Sequence, residues 1–417
     1  EMGEEFINPA FPFYGVFDAF FLYGLSSHEY KSKLKNENSL LLNILFTLVP
    51  FKNHCAMNRL RIIKYLLIFT APALAVLGFV YRGPWTWAVP IYAYGLVPFV
   101  EILSKGTQKN MDDVEEEVAK KDRLYDYIIY SMVPVQWAMF IAFMFIMEEG
   151  GLQMYEYAGL IFSMGIACGV LGINVAHELG HRKKWYEQWM SKALLLTAQY
   201  MHFFIEHNRG HHKNVSTEGD PATARYGEMF YAFWVRSVVM SYISAWKLEL
   251  KRLKRKALPW YHWSNEMIFY TFCQVGLLVG VAAFFSVPTM LITLGASVIG
   301  FSLLEIINYV EHYGLVRHKS EKGFKRVLPI HSWNSNHPMG RLILFEVTRH
   351  SDHHYMASRK YQVLRHFDDA PQLPTGYPGM IILATFPPLW FMVMNPRVKA
   401  LQEKYPDDLR IPLSQAA

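Results

Sequence analysis

The chain has 417 residues, 52% of them hydrophobic and 16% aromatic, and a formal net charge of +6 at pH 7. Such an apolar composition is unusual for a soluble protein of this length and favours a membrane protein. Cys55, Cys168 and Cys273 lie far apart and include no Cys-x-x-Cys pair, which indicates a reducing compartment and no rubredoxin or iron–sulfur module. No Gly-x-Gly-x-x-Gly motif is present, and nothing beyond the charge suggests binding to nucleic acid.

Residues 1–57 differ in character from the rest of the chain. They contain an aromatic-rich stretch at 9–24 and an apolar run at 40–49, both short for crossing a bilayer core of about 30 Å. We expect this segment to lie along the cytoplasmic membrane interface. Its role is open.

Residues 58–396 are predicted to form an all-α polytopic membrane domain, and residues 397–417 a C-terminal tail. Six stretches of the domain are apolar and long enough to cross a membrane as helices. Two connections, near Arg82 and near Ser286, are so short that the helices beside them must form antiparallel hairpins. The six predicted spans are Tyr65–Tyr81, Trp87–Leu103, Tyr125–Met147, Tyr157–Ala176, Met267–Phe285 and Thr289–Val310.

The distribution of basic residues predicts the orientation of these spans. Of the 41 Lys and Arg residues, every one except Arg82 lies in a segment that is cytoplasmic if the amino terminus is cytoplasmic. Basic residues concentrate in cytoplasmic loops, so both termini and the histidine clusters are predicted to face the cytoplasm. This rule also accounts for the positive net charge. The dense run Lys251–Lys256 leaves open a docking surface for anionic membrane lipid or an acidic partner.

Nine histidines occur in four tight clusters, each just beyond a long apolar segment. Imidazole is the most common protein ligand for metals, and nine exceed what one ion can use. The pattern therefore predicts a cytoplasmic cap that holds two ions by four or five nitrogens each. The nine predicted metal ligands are His177, His181, His207, His211, His212, His312, His350, His353 and His354.

The spacing within the clusters predicts which rings share a helical face. The pairs His177/His181 and His207/His211 are four residues apart, so each pair is expected on one face, with His212 about 100° further round. In the last cluster His350 and His353 are expected to share a face, and His354 follows four residues after His350.

The remaining histidines are isolated and are expected to have structural roles. Three of them, His202, His331 and His337, lie nearer to the clusters and are candidates for both a structural role and a place around the metal site; the run His331–His337 is polar and favours the second. The other isolated histidines are His28, His54, His262, His318 and His366.

Several other metal chemistries compete for the same residues. His177-Glu178-x-x-His181 is also the signature of zinc proteases, in which the glutamate acts as general base, but one zinc leaves most clustered histidines without a role. A soluble di-iron bundle needs two Glu-x-x-His motifs, and one is found. A non-catalytic metal transporter would place histidines within the membrane. Iron is preferred to zinc because oxidation of an apolar substrate needs a redox-active metal, although copper also suits imidazole.

The clusters and the residues around them resemble those of the membrane alkane 1-monooxygenases, which are non-haem di-iron alkane ω-hydroxylases related to the membrane fatty acid desaturases. The resemblance extends from about Tyr65 to about Pro396. Desaturases and sterol oxidases share the histidine clusters, but their second cluster is usually His-x-x-His-His, whereas here three residues separate His207 from His211. The matching motifs are Asn174–His181, His202–His212, Asp220–Thr223, Asn308–Gly314, Ser332–His337, Arg349–His354 and Leu373–Gly379.

The resemblance implies an enzyme of the bacterial inner membrane that uses O₂ and two iron ions to hydroxylate the terminal methyl of medium-chain n-alkanes. Electrons in this family come from rubredoxin, which a flavin-dependent, NAD(P)H-using reductase reduces. Another histidine-cluster oxygenase, a fatty acyl hydroxylase or a desaturase, is the main alternative.

Two further sets of residues are expected at the site. Ala93, a small residue between Tyr92 and Tyr94 on the second predicted span, is expected to leave room for the substrate chain. Glu101, near the end of that span, either reaches the membrane surface or supports the site. Polar neighbours of the clusters are expected to hold the imidazole rings in position: Glu178, Glu206, Asp220, Asn308, Glu311 and Asp352.

Overall fold

The computed structural model describes residues 61–321 and 323–409, so the predicted interfacial segment 1–57 lies outside the described residues. Helices dominate the described part. Its strands are β1 (Lys319–Ser320) and β2 (Gly323–Phe324), each two residues long, and they pair with each other in antiparallel orientation. In chain order the helices are α1 (Arg61–Tyr81), α2 (Gly83–Leu103), α3 (Asp113–Lys121), α4 (Leu124–Glu149), α5 (Met154–Gly180), α6 (Trp185–Thr197), α7 (203–214), α8 (Phe230–Arg255), α9 (Glu266–Phe284), α10 (Val287–His312), α11 (Pro338–Ile343), α12 (His350–Tyr355), α13 (Tyr377–Ala384) and α14 (Pro387–Lys404), with 3₁₀ turns at Pro329–His331 and Tyr361–Val363.

Six of these helices, α1, α2, α4, α5, α9 and α10, are long and apolar enough to cross a membrane. The predicted all-α fold with six membrane helices is therefore confirmed. The predicted ends are too short in α5 and α10, which continue to Gly180 and His312. Hydropathy identifies only the apolar part of a helix, and the last turns of a helix that leaves the bilayer can carry polar residues. The helix ends predicted from hydropathy are therefore too early. As a result, His177 and His312 stand on the membrane helices themselves.

Both predicted hairpin connections are present. Between α1 and α2, Arg82 and Gly83 each have a φ of 53°, a left-handed conformation that reverses the chain within two residues. Residues 285–286 connect α9 to α10, and the Ser286 hydroxyl accepts a hydrogen bond from the Thr289 N–H at 3.3 Å. This contact caps the amino terminus of α10.

The central helices α5 and α10 pack closely because small residues lie at their crossing. A Cβ atom on Gly165 would lie 2.5 Å from the Ile299 side chain, and one on Gly300 would lie 2.6 Å from the Cβ of Cys168. Small residues at such crossings let helix backbones approach each other within a membrane. The crossing brings the histidine-bearing ends of both helices to one place.

Three π turns interrupt the helices around one region of the protein. They cover Tyr92–Leu96 in α2, Cys168–Ile173 in α5 and His207–His211 in α7. The hydrogen bond of a π turn joins residues i and i+5, so one extra residue enters the turn and the side chains around it are redirected. Residues from all three turns line the cavity described below.

Residues 181–265 and 313–409, here called the cap, pack around the histidine-bearing ends of α5 and α10, and α6 extends further along the membrane helices, where the Ser297 hydroxyl donates to the Thr197 carbonyl at 2.9 Å. Aromatic packing holds this cap to the end of α10: the Trp390 ring lies 5.0 Å from that of Tyr309 and 5.3 Å from that of Tyr313. The Trp333 indole donates to the Tyr313 carbonyl at 3.0 Å, and its backbone N–H donates to the Glu311 carbonyl at 2.8 Å. The chain that leads to the last histidine cluster is thereby fixed against α10.

Candidate metal centre

The nine clustered histidines converge where the membrane helices meet the cap. Their ring nitrogens form two groups, and within each group the nitrogens lie within 4.8 Å of one another. This division matches the predicted four or five nitrogens for each of two ions. The five-histidine group consists of His177, His181, His207, His212 and His353, and the four-histidine group of His211, His312, His350 and His354.

The predicted common face of His207 and His211 is wrong, because α7 contains a π turn at this point. His207 belongs to the five-histidine group and His211 to the four-histidine group. The His212 N–H donates to the carbonyl of His207, five residues earlier, so these two residues lie above one another. Their Nε2 atoms are 3.0 Å apart. The π turn thus allows one helix to contribute to both groups.

The predicted pairing in α12 is also wrong. His350 and His354, four residues apart, belong to the four-histidine group, and His353 belongs to the five-histidine group. In an α-helix the four-residue spacing keeps two side chains on one face, and the residue before the second one is turned by about 100°. Helices α7 and α12 therefore lie between the two groups and contribute to both.

The distances between ring nitrogens are those expected around a metal ion. The Nε2 atom of His212 lies 3.2 Å from that of His181, 3.0 Å from that of His207 and 3.1 Å from that of His353. Two imidazoles bound at right angles, with metal–nitrogen distances of about 2.1 Å, place their nitrogens about 3.0 Å apart. Hydrogen bonds account poorly for this geometry, because a single Nε2 is either a donor or an acceptor.

Burial keeps most of these rings in the neutral form that binds metal. It lowers the pKa of His181 to about 3. It also lowers the pKa of His207, His212 and His353 well below the ordinary value, and the neighbouring histidines add to this effect. A metal ion therefore has no proton to displace from these rings at neutral pH.

Asp220 is the predicted neighbour that contacts the outward-facing nitrogen of a ring. Its Oδ2 atom lies 2.9 Å from Nδ1 of His211, and the Thr223 hydroxyl donates to the same oxygen at 2.6 Å. Burial opposes the charged forms, but the carboxylate outweighs it and raises the pKa of His211, while His211 lowers that of Asp220. Such a carboxylate fixes the ring with Nε2 directed to a metal.

Other predicted neighbours bind groups outside the two sets of rings. The Glu206 carboxylate accepts from the Ser244 hydroxyl at 3.4 Å, and burial with the charge of Asp220 raises its pKa to about 8. The Asn308 side chain donates to Glu305 at 3.5 Å. Asp352 accepts from the backbone N–H of Arg365 at 2.7 Å and lies 3.2 Å from Arg359. Glu311 has a different environment and is treated below.

Glu178 belongs to a buried ion-pair network. Its carboxylate lies 2.9 Å from Arg182, which also binds Asp126 at 2.6 Å and Glu187 at 3.1 Å. The side chain of Arg182 is 7% exposed. A zinc protease needs this glutamate as a general base beside a metal-bound water. The ion pair argues against that alternative.

The three histidines that lie nearer to the clusters have structural contacts. His331 Nδ1 accepts from the Leu328 N–H at 2.8 Å, and its Nε2 donates to the Asp408 carbonyl at 3.3 Å. His337 Nδ1 lies 3.0 Å from the Ser335 hydroxyl. His202 packs its ring 4.3 Å from that of Tyr200. The structure brings none of these described residues into either metal-ligand group.

An apolar cavity leads from the membrane helices to both histidine groups. His177 and His207 of one group and His350 of the other lie on its wall. Residues of α5 at intervals of three or four line it, and its far end is formed by apolar side chains of α1, α2 and α5. Those are Ala71, Val89 and Ile166. Ala93, within the π turn of α2, also lies on the wall.

The sequence did not reveal the structural part that Glu101 plays. The Glu101 side chain is buried and accepts the Gly340 N–H at 2.7 Å. A Cβ atom at Gly376 would overlap its carboxylate. Glu101 thus joins the end of α2 to two cap segments rather than reaching the membrane surface. The sequence shows the two glycines that permit this close approach, but it does not show that Glu101 contacts them.

Comparison with known proteins agrees with this architecture. Residues 155–384 match the fatty acid desaturase family. Alkane 1-monooxygenase 2 of Pseudomonas aeruginosa is 42% identical over 328 residues, which cover 78% of this chain and 87% of that protein. Alkane 1-monooxygenase 1 of Alcanivorax borkumensis is 41% identical, with 75% and 78% covered. The xylene/toluene monooxygenase hydroxylase component of Pseudomonas putida is 28% identical, with 82% and 90% covered. The chain therefore belongs to the alkane 1-monooxygenase family of desaturase-like, multi-pass membrane proteins.

Proposed function

We propose that this chain hydroxylates the terminal methyl of medium-chain n-alkanes, using O₂, two iron ions and electrons from a rubredoxin. The observation that carries this proposal is the apolar cavity that ends on both histidine groups. The reaction converts the alkane, O₂, two electrons and two protons into the primary alcohol and water. Two iron ions held by the nine histidines would supply the redox chemistry that activates O₂.

The lining of the cavity favours an alkane over a substrate with a charged head group. The polar side chains on the wall include Asn174, Asn308 and Glu311, close to the histidines, whereas the far end is apolar. A fatty acyl substrate with its methyl group at the histidines would leave its charged head group at the apolar far end, without a polar partner. Shape therefore selects the substrate, and the terminal methyl is the part that reaches the metals.

The length of the cavity supports medium chains. It extends along α5 from Ile166 to His177, which is about 16 Å at 1.5 Å per residue, and along α10 from Leu303 to Glu311, about 12 Å. A zigzag hydrocarbon with carbon–carbon bonds of about 1.5 Å advances about 1.25 Å per carbon. The cavity therefore accommodates about ten to thirteen carbons.

The proposed electron entry is the exposed edge of the five-histidine group. His181 and His212 are half-buried, whereas the four-histidine group is fully buried. Three exposed lysines follow these two histidines in sequence: Lys183, Lys184 and Lys213. This basic edge would attract the acidic surface of a rubredoxin. A Lys183→Glu/Lys184→Glu variant is expected to reduce kcat/KM for rubredoxin at low salt, with a smaller difference at high salt. Lys399→Glu, at an exposed position on α14, is the control.

The proposed location is the bacterial inner membrane, with both termini and the metal centre in the cytoplasm. The supporting observation is the distribution of basic residues: 27 of the 41 Lys and Arg residues lie in the two cap segments, whereas Arg82 lies at the hairpin between α1 and α2. Cysteine labelling from outside spheroplasts tests this orientation: a cysteine introduced at Gly151 should react, and one introduced at Lys213 should not.

The experiment that tests the proposed activity supplies membranes containing the chain with rubredoxin, its reductase, NADH, octane and ¹⁸O₂. One ¹⁸O atom in 1-octanol is the expected result, and a His353→Ala variant should lose it. Oxidation of acyl chains alone would identify a different substrate class. Peptide cleavage that Glu178→Gln abolishes would instead establish the protease.

A further inference from the structure

The two histidine groups differ by one ligand. One group offers five nitrogens, and the other offers four from His211, His312, His350 and His354. In the smaller group, Nε2 of His350 lies 3.1 Å from that of His312 and 2.9 Å from that of His354. These nitrogens lie close enough to one another to bind one ion.

Glu311 lies beside this group. It precedes His312 on α10, is 2% exposed, and lines the apolar cavity together with His350. Its Oε2 atom lies 3.2 Å from Nε2 of His350. This separation is close to the distance of about 3.0 Å between neighbouring ligands of one metal ion.

A hydrogen bond is an unsuitable explanation of this contact once a metal is bound. The Nε2 atom of His350 faces the other ring nitrogens, so it is the atom that ligates, and a ligating nitrogen carries no hydrogen. It then has nothing to donate to Glu311. A carboxylate oxygen and a nitrogen lone pair repel at this distance unless both bind one cation.

Tyr377 fixes the other oxygen of the same carboxylate. The tyrosine hydroxyl donates to Oε1 of Glu311 at 2.8 Å. Tyr377 is fully buried at the start of α13 and lies on the cavity wall. With Oε1 held in this way, Oε2 is the oxygen left to bind a metal, as in sites where an outer hydrogen bond orients a ligating carboxylate.

We propose that Glu311 is a metal ligand of the four-histidine group and that Tyr377 is the residue that positions it. This inference rests on the proposed two-metal function but requires only that both groups bind metal. Each ion then has five protein ligands, one set entirely neutral and the other containing one anionic oxygen. An anionic oxygen ligand favours Fe²⁺ over Cu⁺, which prefers soft ligands. It also makes the two ions electronically different.

The test is Mössbauer spectroscopy of the full chain loaded with ⁵⁷Fe, combined with the rate of iron release to a chelator. In the wild type, two quadrupole doublets of equal area are expected. Glu311→Gln should alter only one of them. The rate at which that iron is released to the chelator should rise by about 10-fold to 100-fold or more, because the loss of even an outer partner weakens metal affinity by that range. Tyr377→Phe should shift the same doublet by less.

The matched control is Glu206→Gln, because Glu206 precedes His207 as Glu311 precedes His312 but binds Ser244. This variant should keep both doublets. Wild-type doublets and release rates in Glu311→Gln would overturn the proposal. If that variant does not fold, unchanged spectra in both Glu311→Asp and Tyr377→Phe would overturn it equally. Loss of octane hydroxylation is scored separately, so a chain that binds two irons but oxidises another substrate leaves the ligand assignment intact.

Discussion

Replacing Ala93 with tryptophan should shorten the range of alkanes that the enzyme accepts. Ala93 lies on the cavity wall, and Glu101, eight residues later on α2, contacts Gly340, which lies with His350 on the same wall. Eight residues correspond to about 12 Å along a helix. An indole at position 93 therefore obstructs the cavity about ten carbons from the metals, counting about 1.25 Å per carbon.

The size of the effect follows from the methylene groups that lose burial. For hexadecane the wild-type cavity buries at most about thirteen carbons, about three of which lie beyond the obstruction, and each buried methylene contributes about 0.8 kcal/mol. The loss of about 2.4 kcal/mol lowers kcat/KM by about 60-fold. Octane ends before the obstruction, so its kcat/KM should change little.

The assay is competition between octane and hexadecane, with both alcohols quantified from the same reaction. Ala73→Trp is the matched control, because Ala73 is exposed on α1, where a tryptophan would meet lipid. The ratio of alcohols should rise in Ala93→Trp and stay at the wild-type value in the control. An active Ala93→Trp enzyme with an unchanged ratio would refute the placement of the alkane in this cavity.

Three other substitutions test the packing and the ion pairs. Gly300→Ala should destabilise the protein by about 1–3 kcal/mol because its Cβ meets Cys168 at 2.6 Å, whereas Gly295→Ala, where the space is open, should not; thermal unfolding in detergent compares the two. Arg182→Met should cost about 3–5 kcal/mol because three buried carboxylates lose the guanidinium that they share, with Lys360 left as the ion-pair partner of Asp126, and a loss below about 1 kcal/mol would contradict this. Burial by itself would raise the pKa of Glu346, but the charges of Arg341 and Lys64 outweigh burial and lower this pKa below its ordinary value of 4.5. Its charge therefore stabilises the protein above about pH 4.5, and the contribution fades as pH falls further. The Tm difference between wild type and Glu346→Gln should be constant near neutral pH and shrink below pH 4.5; a difference independent of pH would contradict the ion pair.

The membrane helices and the nine converging histidines were predictable because each depends on a local pattern. Apolar length identifies a span regardless of its neighbours, and four clusters of histidines are improbable unless they share a task. The division of the α7 rings between the two groups was not predictable. It depends on the π turn at His207–His211, whose extra residue arises from tertiary packing and has no signature in residue spacing.

The groups that the buried carboxylates contact were also not predictable from the sequence. Glu178 and Glu311 both precede or follow a clustered histidine, yet one binds Arg182 and the other lies beside His350. The partner His350 is 39 residues from Glu311 in the sequence, and only the close packing of the cap against α10 brings them together. Neighbourhood in the chain does not determine which atoms meet across helices.

The metal content of the detergent-purified chain tests the central claim most directly. Elemental analysis measured against protein concentration from amino-acid analysis should give about two irons per chain, with both lost together when residues of the shared helix α12 are replaced. One zinc per chain, with no iron bound on reconstitution, would contradict a two-iron centre and the oxidation chemistry that depends on it.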